Sequence, residues 1–547
     1  MASLNWIGKK DIKNHHNHVE YRTIKCVEEV GVPDSGNLIL KGDNLLALKA
    51  LLPYYGGKAK MVYIDPPYNT GNEGWQYNDN VNSKIINKWF EDKTPIDKED
   101  LSRHDKWLCM IYPRLKLLQQ FLDEDGFICV QIDDSETANL KILLDNMFGS
   151  TNHVITYYIQ VRYPNKTLKE DMEYNKLIEQ VHVYQVSGKS KANRQTSLKT
   201  MDKYIFYFEE NQPPLDIIEL GGKRVEIFAK GSYKIKKSDP SELGRKEIWA
   251  SGSVLDGNSS GRFFRDYLTG LEKKYGYSLL YKVYDIGDDN FDFRYFTSPN
   301  KPTAVRGKYF QGIPVDQLKS GAVSNVPIQN FWDFSPAFGN CNKEGGVLFK
   351  SGKKPEEFLK MLIETYSNEG DLIIDSFGGS GSTAATSHKL NRQWVTIEME
   401  EHAQTHIVQR LKNVVNGDKT GISSLVSWKG GGGFQYCELS EPLLDEYSLL
   451  NENISFNILA KHLYFTEFGI ALKENSISEA MNYVGRFKNI ELFLYIDENF
   501  GLSSLENILQ KPANQYIVFT DTWTVSDEIL LEKNVSVKRL PFEIKGV

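Results

Sequence analysis

The chain has 547 residues, 40% of them hydrophobic and 25% charged, which is too long for one ordinary core and implies two to four domains, each burying its own interior. No apolar run approaches the roughly 18 residues that span a bilayer, and the opening MASLNWIGKKDIKNHHNHVE lacks the apolar core of a secretory signal, so cytoplasmic residence is expected. A formal charge of -7 neither advertises nor excludes a polyanion-binding protein, because phosphate contacts need only a local positive surface.

Cys26, Cys109, Cys129, Cys341 and Cys437 are far apart in the chain, which argues against a disulfide framework and against a thiolate zinc site. His15, His16 and His18 lie on what reads as a flexible tail without a convergent acid or cysteine, so no metal is expected. From Leu38, LILKGD reads as a strand, NLLALKALLPYY as a helix and KMVYID as a second strand, the rhythm of a parallel α/β sheet. His104 to Leu122 is helical, with Leu108, Ile111, Leu115 and Leu118 at three- and four-residue spacings. A turn at Gly126 leads into a strand from Phe127 to Ile132, and a helix through Leu140, Leu143 and Leu144 stops near Gly149.

From about 151 to 330 this rhythm is lost to aromatics, charged turns and short strand-like runs such as DKYIFYFEEN and YFQGIPV, read as an α+β insertion. It returns with PEEFLKMLIETYS as a helix, DLIIDSF as a strand, a glycine-rich turn, a helix from Ala384 to Leu390 and the strand WVTIE. The last hundred residues alternate strands (IELFLYID, QYIVFTD) with helices, enough for a further small α/β module.

Two segments carry chemistry. DSFGGSGSTA, Asp375 to Ala384, joins a strand to a helix through glycines that permit a tight turn and close backbone approach to a ligand. No GKS or GKT follows, which excludes the phosphate loop of nucleotide hydrolases. Glu398 ends the next strand, where an acid can accept both hydroxyls of a nucleoside ribose; Asp43 ends another and can accept from an adenine amine. Helix capping by Asp43 and simple solvation of Glu398 are the plainer readings. In Asp65-Pro66-Pro67-Tyr68 the prolines hold the chain extended, so the Asp65 carboxylate and the Pro66 carbonyl form a fixed pair of acceptors for an exocyclic amine, and Tyr68 offers a face for stacking a base. Alone, such a segment is equally a rigid end to a strand.

DPPY together with FGGSG resembles the amino-group DNA methyltransferases that use S-adenosylmethionine, and an acid before PPY implies adenine N6 as acceptor rather than cytosine N4. The order, DPPY first and the glycine loop last, resembles the beta arrangement of these enzymes. GDNLLALKALLPYY, YIDPPYNTG with Tyr77 and Asn78 beyond it, PRLKLLQQFLDEDGFICVQIDDSE, the KKPEE segment and GGGGFQY make the chain most similar to the modification subunit of a Type III restriction-modification system. The resemblance implies an α/β Rossmann-like S-adenosylmethionine-dependent core (36–185 and 326–440), an inserted α+β target-recognition domain (186–325), an N-terminal extension (1–35) and a small C-terminal α/β module (441–547). It places the amine and base site at Asp65, Pro66, Pro67 and Tyr68. The cofactor site it implies comprises Asp43, Asp65, Lys354, Pro355, Phe377, Gly379, Gly381 and Glu398, with Glu356 and Glu357 as lesser contributors. Gly378 stands where alanine or cysteine is common.

An adenine in duplex DNA has to flip out to reach such a site. Lys189, Lys191, Arg194, Lys199, Lys223, Arg224, Lys236, Lys237, Arg294 and Arg306 are the candidate DNA contacts, with Lys234, Arg245, Lys246, Lys301 and Lys308 beside them. The partners implied are double-stranded DNA, a second copy of the chain and a separate helicase-nuclease subunit. The helix from 104 to 122 is either a dimerisation element or part of the core.

Overall fold

The computed structural model describes residues 4–70, 103–165, 174–193, 195–198, 201–250, 259–304, 306–315, 323–349, 352–399, 401–473 and 476–541. The chain divides into two compact units, Met1–Asn193 with Gln329–Val547, and Arg194–Ile328.

The first unit is built on a sheet whose strands are, in chain order, β1 (Arg22–Gly31), β2 (Leu38–Lys41), β3 (Ala59–Ile64), β4 (Leu122–Ile132), β5 (His153–Gln160), β6 (Ile178–Gln185), β7 (Phe331–Asp333), β8 (Leu372–Asp375), β9 (Gln393–Glu398) and β10 (Gly433–Pro442). Across the sheet the order is β1-β10-β2-β9-β8-β3-β4-β6-β5-β7. From β10 to β4 every neighbour is parallel, whereas β6 runs antiparallel to both β4 and β5. The short apolar runs LILK and LIID are buried along most or all of their length, as strands covered on both faces must be.

Helices α1 (Asn44–Tyr55), α2 (Arg103–Phe121), α3 (Thr137–Phe148), α4 (Glu356–Tyr366), α5 (Ser382–Lys389) and α6 (Gln409–Val415) cover this sheet. Successive strand side chains alternate between its faces. Leu40, Val62, Ile64, Ile128, Val130, Val395 and Ile397 join α1 and α2 in one core, while Ile39 and Trp394 pack with Ala384, Ile407, Leu411 and Val414 on the other side. Leu108, Ile111, Leu115 and Leu118 are all buried in the first core, so α2 is a core helix and not a free dimerisation face.

Three expectations change. The pairing of β4 with β3 jumps from Leu122–Ala59 to Phe127–Met61, so the strand starts before the expected turn and the acidic segment is looped out of register. The N-terminal segment is no tail: Lys9–Ile12 and His15–His18 are short helices, and Trp6, Ile12 and Val19 enter the core. Cys26 and Cys437, 411 residues apart, are cross-strand partners in β1 and β10 and are disulfide-bonded. Distance along the chain does not bound distance across a sheet whose edge strand pairs with one near the C-terminus.

The C-terminal segment has its own four-stranded sheet, β11 (Tyr483–Phe487), β12 (Ile490–Phe500), β13 (Gln515–Trp523) and β14 (Val535–Arg539), in that order. It nevertheless clusters with the first unit, because Phe465 of helix α7 (Phe456–Phe468) is buried in the core that contains Leu52 of α1. The second unit carries a six-stranded antiparallel sheet, in the order Lys246–Trp249, Lys308–Gln311, Phe293–Thr297, Leu280–Tyr284, Lys223–Phe228 and Asp216–Leu220. Val225, Ile227, Val283 and Phe296 pack there against Phe263, Phe264 and Leu268 from short helical segments.

Candidate active site

Five parallel strands end at the same rim of the first unit, and each delivers an acid there: Asp43 after β2, Asp65 after β3, Asp133 after β4, Asp375 at the end of β8 and Glu398 at the end of β9. All five line one cavity of about 1220 Å³. Ligand sites in open α/β sheets lie at these carboxyl ends, where successive loops diverge and leave room. Among the described residues the lining carries seven acids (Asp43, Asp65, Asp133, Asp134, Asp375, Glu179, Glu398) and five lysines and arginines (Arg103, Arg114, Arg162, Lys176, Lys354).

On one side lies the Asp65-Pro66-Pro67-Tyr68 segment. The Trp107 indole N–H of α2 donates to the Pro67 carbonyl at 2.7 Å. Beyond it Asn69, fully buried at a φ of 62°, donates to the Arg103 carbonyl at 3.2 Å. Asx residues tolerate that left-handed backbone, which turns the chain away after Tyr68. The Lys354 ammonium sits 2.6 Å from Asp65 Oδ2 and 3.7 Å from Glu179 Oε2. The Tyr68 hydroxyl is 2.7 Å from Asp65 Oδ1 and 2.8 Å from Glu179 Oε2. Gln131 donates to Glu179 Oε2 at 2.5 Å, and its own carbonyl accepts from the Tyr63 hydroxyl.

Burial pushes the Asp65 carboxyl above the ordinary range; Lys354 opposes this and Glu179 adds to it. Burial also works against the Lys354 ammonium, yet Asp65 and Glu179 outweigh it and hold its pKa above the usual value. Two carboxylates and one cation thus meet at the cavity wall, each largely buried, which fixes their positions more firmly than those of a surface pair.

On the other side is the glycine turn. Gly379 and Gly381 have φ of 51° and 74°, the left-handed region that glycine enters without steric cost. The Gly379 amide donates to Glu398 Oε2 at 2.7 Å, and the Phe377 amide to Asp375 Oδ1 at 2.9 Å. Burial pushes Asp375 up to about 7, with Thr383 and the Phe377 amide opposing and Asp65 and Glu398 adding. At the third corner Asp43 caps α1, accepting from the Leu45 and Leu46 amides at 2.9 and 3.2 Å, and lies 3.5 Å from Arg114. Capping and facing the cavity are therefore compatible roles for this residue.

Asp43, Asp65, Pro66, Pro67, Tyr68, Lys354, Phe377, Gly379 and Glu398 all line the same cavity, although more than three hundred residues separate the two segments. Pro355 and Gly381 stand behind the lining, as the residues that start α4 and α5. Lys354, expected beside the cofactor together with Asp65, lines the cavity and is ion-paired with Asp65. Glu356 is fully buried beneath the site with Lys389 and Arg410. Glu179, Gln131 and Asp375 were not singled out from the sequence. For Glu179 the signal was the one acid in a strand, LIEQVHVY, with apolar residues at Val181 and Val183.

The candidate DNA contacts scatter. Lys189 and Lys191 are exposed in the first unit, Lys189 paired with Glu124 at 2.7 Å. In the second unit Lys236 pairs with Glu209, Arg224 pairs with Glu226 at 2.6 Å, Lys237 lies over the Phe206 ring, Lys223 donates to the Asp285 carbonyl, and Arg306 is exposed. Arg294 does not face solvent: it is 4% exposed, donating to Asp289 at 2.7 Å and Ser260 at 2.8 Å, because its strand position points into the sheet's packed interior. Arg245 is likewise buried, over the Phe291 ring. Arg194, Lys199, Tyr77 and Asn78 lie outside the described residues.

A family model described as a DNA methylase, covering N6 and N4 methyltransferases, matches residues 59–409, a span holding both sides of this cavity. The chain belongs to this DNA methylase family. It is 31% identical over 488 residues to the probable type III restriction-modification enzyme HindVI Mod subunit of Haemophilus influenzae, with 80% of this chain and 59% of that protein covered. The EcoPI Mod subunit of Escherichia phage P1 is 26% identical, with 75% and 65% covered, and the EcoP15I Mod subunit of Escherichia coli is 27% identical, with 73% and 64% covered. The chain therefore spans 59–65% of the length of these relatives.

Proposed function

We propose that the chain methylates the N6 amine of adenine in duplex DNA with S-adenosylmethionine as donor, as the modification and recognition subunit of a Type III restriction-modification system. The observation that carries this reading is the opening of Asp65-Pro66-Pro67-Tyr68 and of the glycine turn with Glu398 into one cavity. At about 1220 Å³ it exceeds the roughly 300–1,000 Å³ of single small-molecule sites, which suits a nucleoside cofactor and a base side by side.

The residues present fit that cofactor. A Cβ on Gly378 would fall 2.5 Å from Thr396 Oγ1, so the turn lies tight against β9. Glu398 and Asp43 would hold the ribose and adenine, and Phe377 and Gly379 the methionine part. When bound, S-adenosylmethionine supplies an electrophilic methyl group on a sulfonium.

Asp65 and the Pro66 carbonyl accept the two N–H groups of the target amine. Accepting both draws the nitrogen lone pair out of conjugation with the ring, which is what makes an otherwise poor nucleophile competent. Tyr68 gives the flipped base a stacking face, offsetting part of the few kcal/mol that unstacking costs. Preorganised acceptors in a buried site supply the acceleration. Exposed cations of the second unit, with Lys189 and Lys191, are the proposed phosphate contacts, and the second unit is the proposed reader of sequence. A second copy and a separate restriction subunit are the proposed partners, the latter supported by relatives described as Mod subunits.

The test is incubation of the intact chain with labelled S-adenosylmethionine and unmethylated genomic duplex DNA, followed by nucleoside analysis. N6-methyladenine is expected, and Asp65→Ala is expected to lower its formation by about a thousandfold or more with folding retained. Methylated cytosine with unchanged adenine overturns the assignment.

A further inference from the structure

Both oxygens of Asp65 already have a donor: the Tyr68 hydroxyl on Oδ1 and the Lys354 ammonium on Oδ2. A target amine arriving at Asp65 therefore competes with a donor already on the oxygen it approaches, and two donors on one oxygen are each held more weakly than one. The ammonium is the harder to displace, because moving it off would strand a buried carboxylate without its counter-charge. The phenol is neutral and has a single hydrogen, yet two carboxylates lie at nearly the same distance from it, Asp65 at 2.7 Å and Glu179 at 2.8 Å. Only one can receive that hydrogen at a time.

We propose that Glu179 is a positioning residue of the amine site: it takes the Tyr68 hydroxyl's hydrogen when a target amine arrives, and so frees Asp65 Oδ1 to accept from that amine. The proposal rests on the reading of Asp65 as the acceptor of the adenine amine. No bond between heavy atoms forms or breaks and no proton leaves Tyr68, since turning the O–H about its C–O bond redirects the hydrogen.

Glu179 is built for a standing role of this kind. It sits where β6 pairs with Ile159 of β5, and Gln131 on β4 donates to the same Oε2 at 2.5 Å while being fixed in turn by the Tyr63 hydroxyl. Gln131 and Tyr63 are fully buried, so the donor that holds the acceptor in place is itself fixed. Lys354, at 3.7 Å from Glu179 and 2.6 Å from Asp65, spans the pair and spares the site two unbalanced charges. Without the Glu179 carboxylate the hydroxyl remains on Asp65 and competes with the amine for Oδ1.

The discriminating experiment is a double-mutant cycle on the intact chain under single-turnover conditions with unmethylated genomic duplex DNA. Glu179→Gln keeps the side chain's shape but removes its charge; Tyr68→Phe keeps the ring and removes the hydroxyl. Glu179→Gln is expected to slow methyl transfer roughly 10- to 100-fold, the range of a hydrogen bond to a charged group. Binding of S-adenosylmethionine by calorimetry should be unchanged, which also reports that the variants are folded. In the Tyr68→Phe background the same change should have no further effect, because no hydroxyl remains to be drawn off Asp65. Equal slowing in both backgrounds, or no slowing by Glu179→Gln alone, overturns the proposal. The wild-type arm separates the two levels: methyl transfer to cytosine alone, or none, overturns the amine reading itself before any variant is compared.

Discussion

Asp375 shows what the site asks of single residues. Burial raises its carboxyl to about 7, against about 4 in an unfolded chain. Between those values the folded state binds the proton more tightly than the unfolded state, so stability falls as pH rises through that window and levels off above it. Asp375→Asn retains an acceptor for the Phe377 amide and removes the charge. Thermal melts across pH should show the variant gaining on the wild type from pH ~4 upwards, by up to about 4 kcal/mol above pH ~7. A difference independent of pH would show that the carboxyl is not held in its neutral form.

At the scale of elements, the turn from β8 into α5 is set by its neighbour β9. Gly378 occupies a position where the resembling enzymes often carry alanine, and the reason for glycine here lies on the facing strand. An added Cβ would meet Thr396 Oγ1 at 2.5 Å, the Ile397 carbonyl at 3.0 Å and Ile407 Cδ1 at 3.0 Å. Gly378→Ala is expected to cost about 1–3 kcal/mol, typical of overpacking, and to weaken binding of S-adenosylmethionine, both measurable by melting and calorimetry. Thr396→Ala in the same chain should recover part of the loss. A similar dependence governs α1, whose first turn is capped by Asp43 while Asn44 donates to the Ser376 carbonyl at 3.0 Å, tying one wall of the cavity to the other.

Across the whole molecule, a buried charge network underlies the glycine turn. Glu356, with no exposed surface, lies 2.8 Å from both Lys389 and Arg410; Lys389 also reaches Asp418 at 2.7 Å, and Arg410 donates to Ser382 at 2.7 Å. These contacts join α4, α5, α6 and the turn after α6 into one support. Removing one partner of such a set leaves buried charge uncompensated, so Glu356→Gln should cost about 3–5 kcal/mol in denaturant unfolding. A loss below about 1 kcal/mol would mean that packing alone holds these helices together. No helix among the described residues is long and apolar enough to cross a membrane.

Much of the fold was legible because the β/α core obeys local rules. Apolar strands of four to six residues, helices with buried positions at three- and four-residue spacing, and a glycine turn after β8 could all be read from nearby residues. So could the restricted backbone of Asp65 to Tyr68, since prolines impose their geometry wherever they stand. The sequence could not show Glu179 beside Tyr68, Lys354 on Asp65, Arg294 buried or Cys26 against Cys437. Three of these are pairings between segments far apart in the chain, and the burial of Arg294 follows from which face of its sheet is packed. Local propensity is a property of neighbours along the backbone, and so the sequence by itself determined the elements and the residue types available for catalysis. Which carboxylate shares which hydrogen, and which lysine balances it, depends on strand order and burial, and only the tertiary structure decided that.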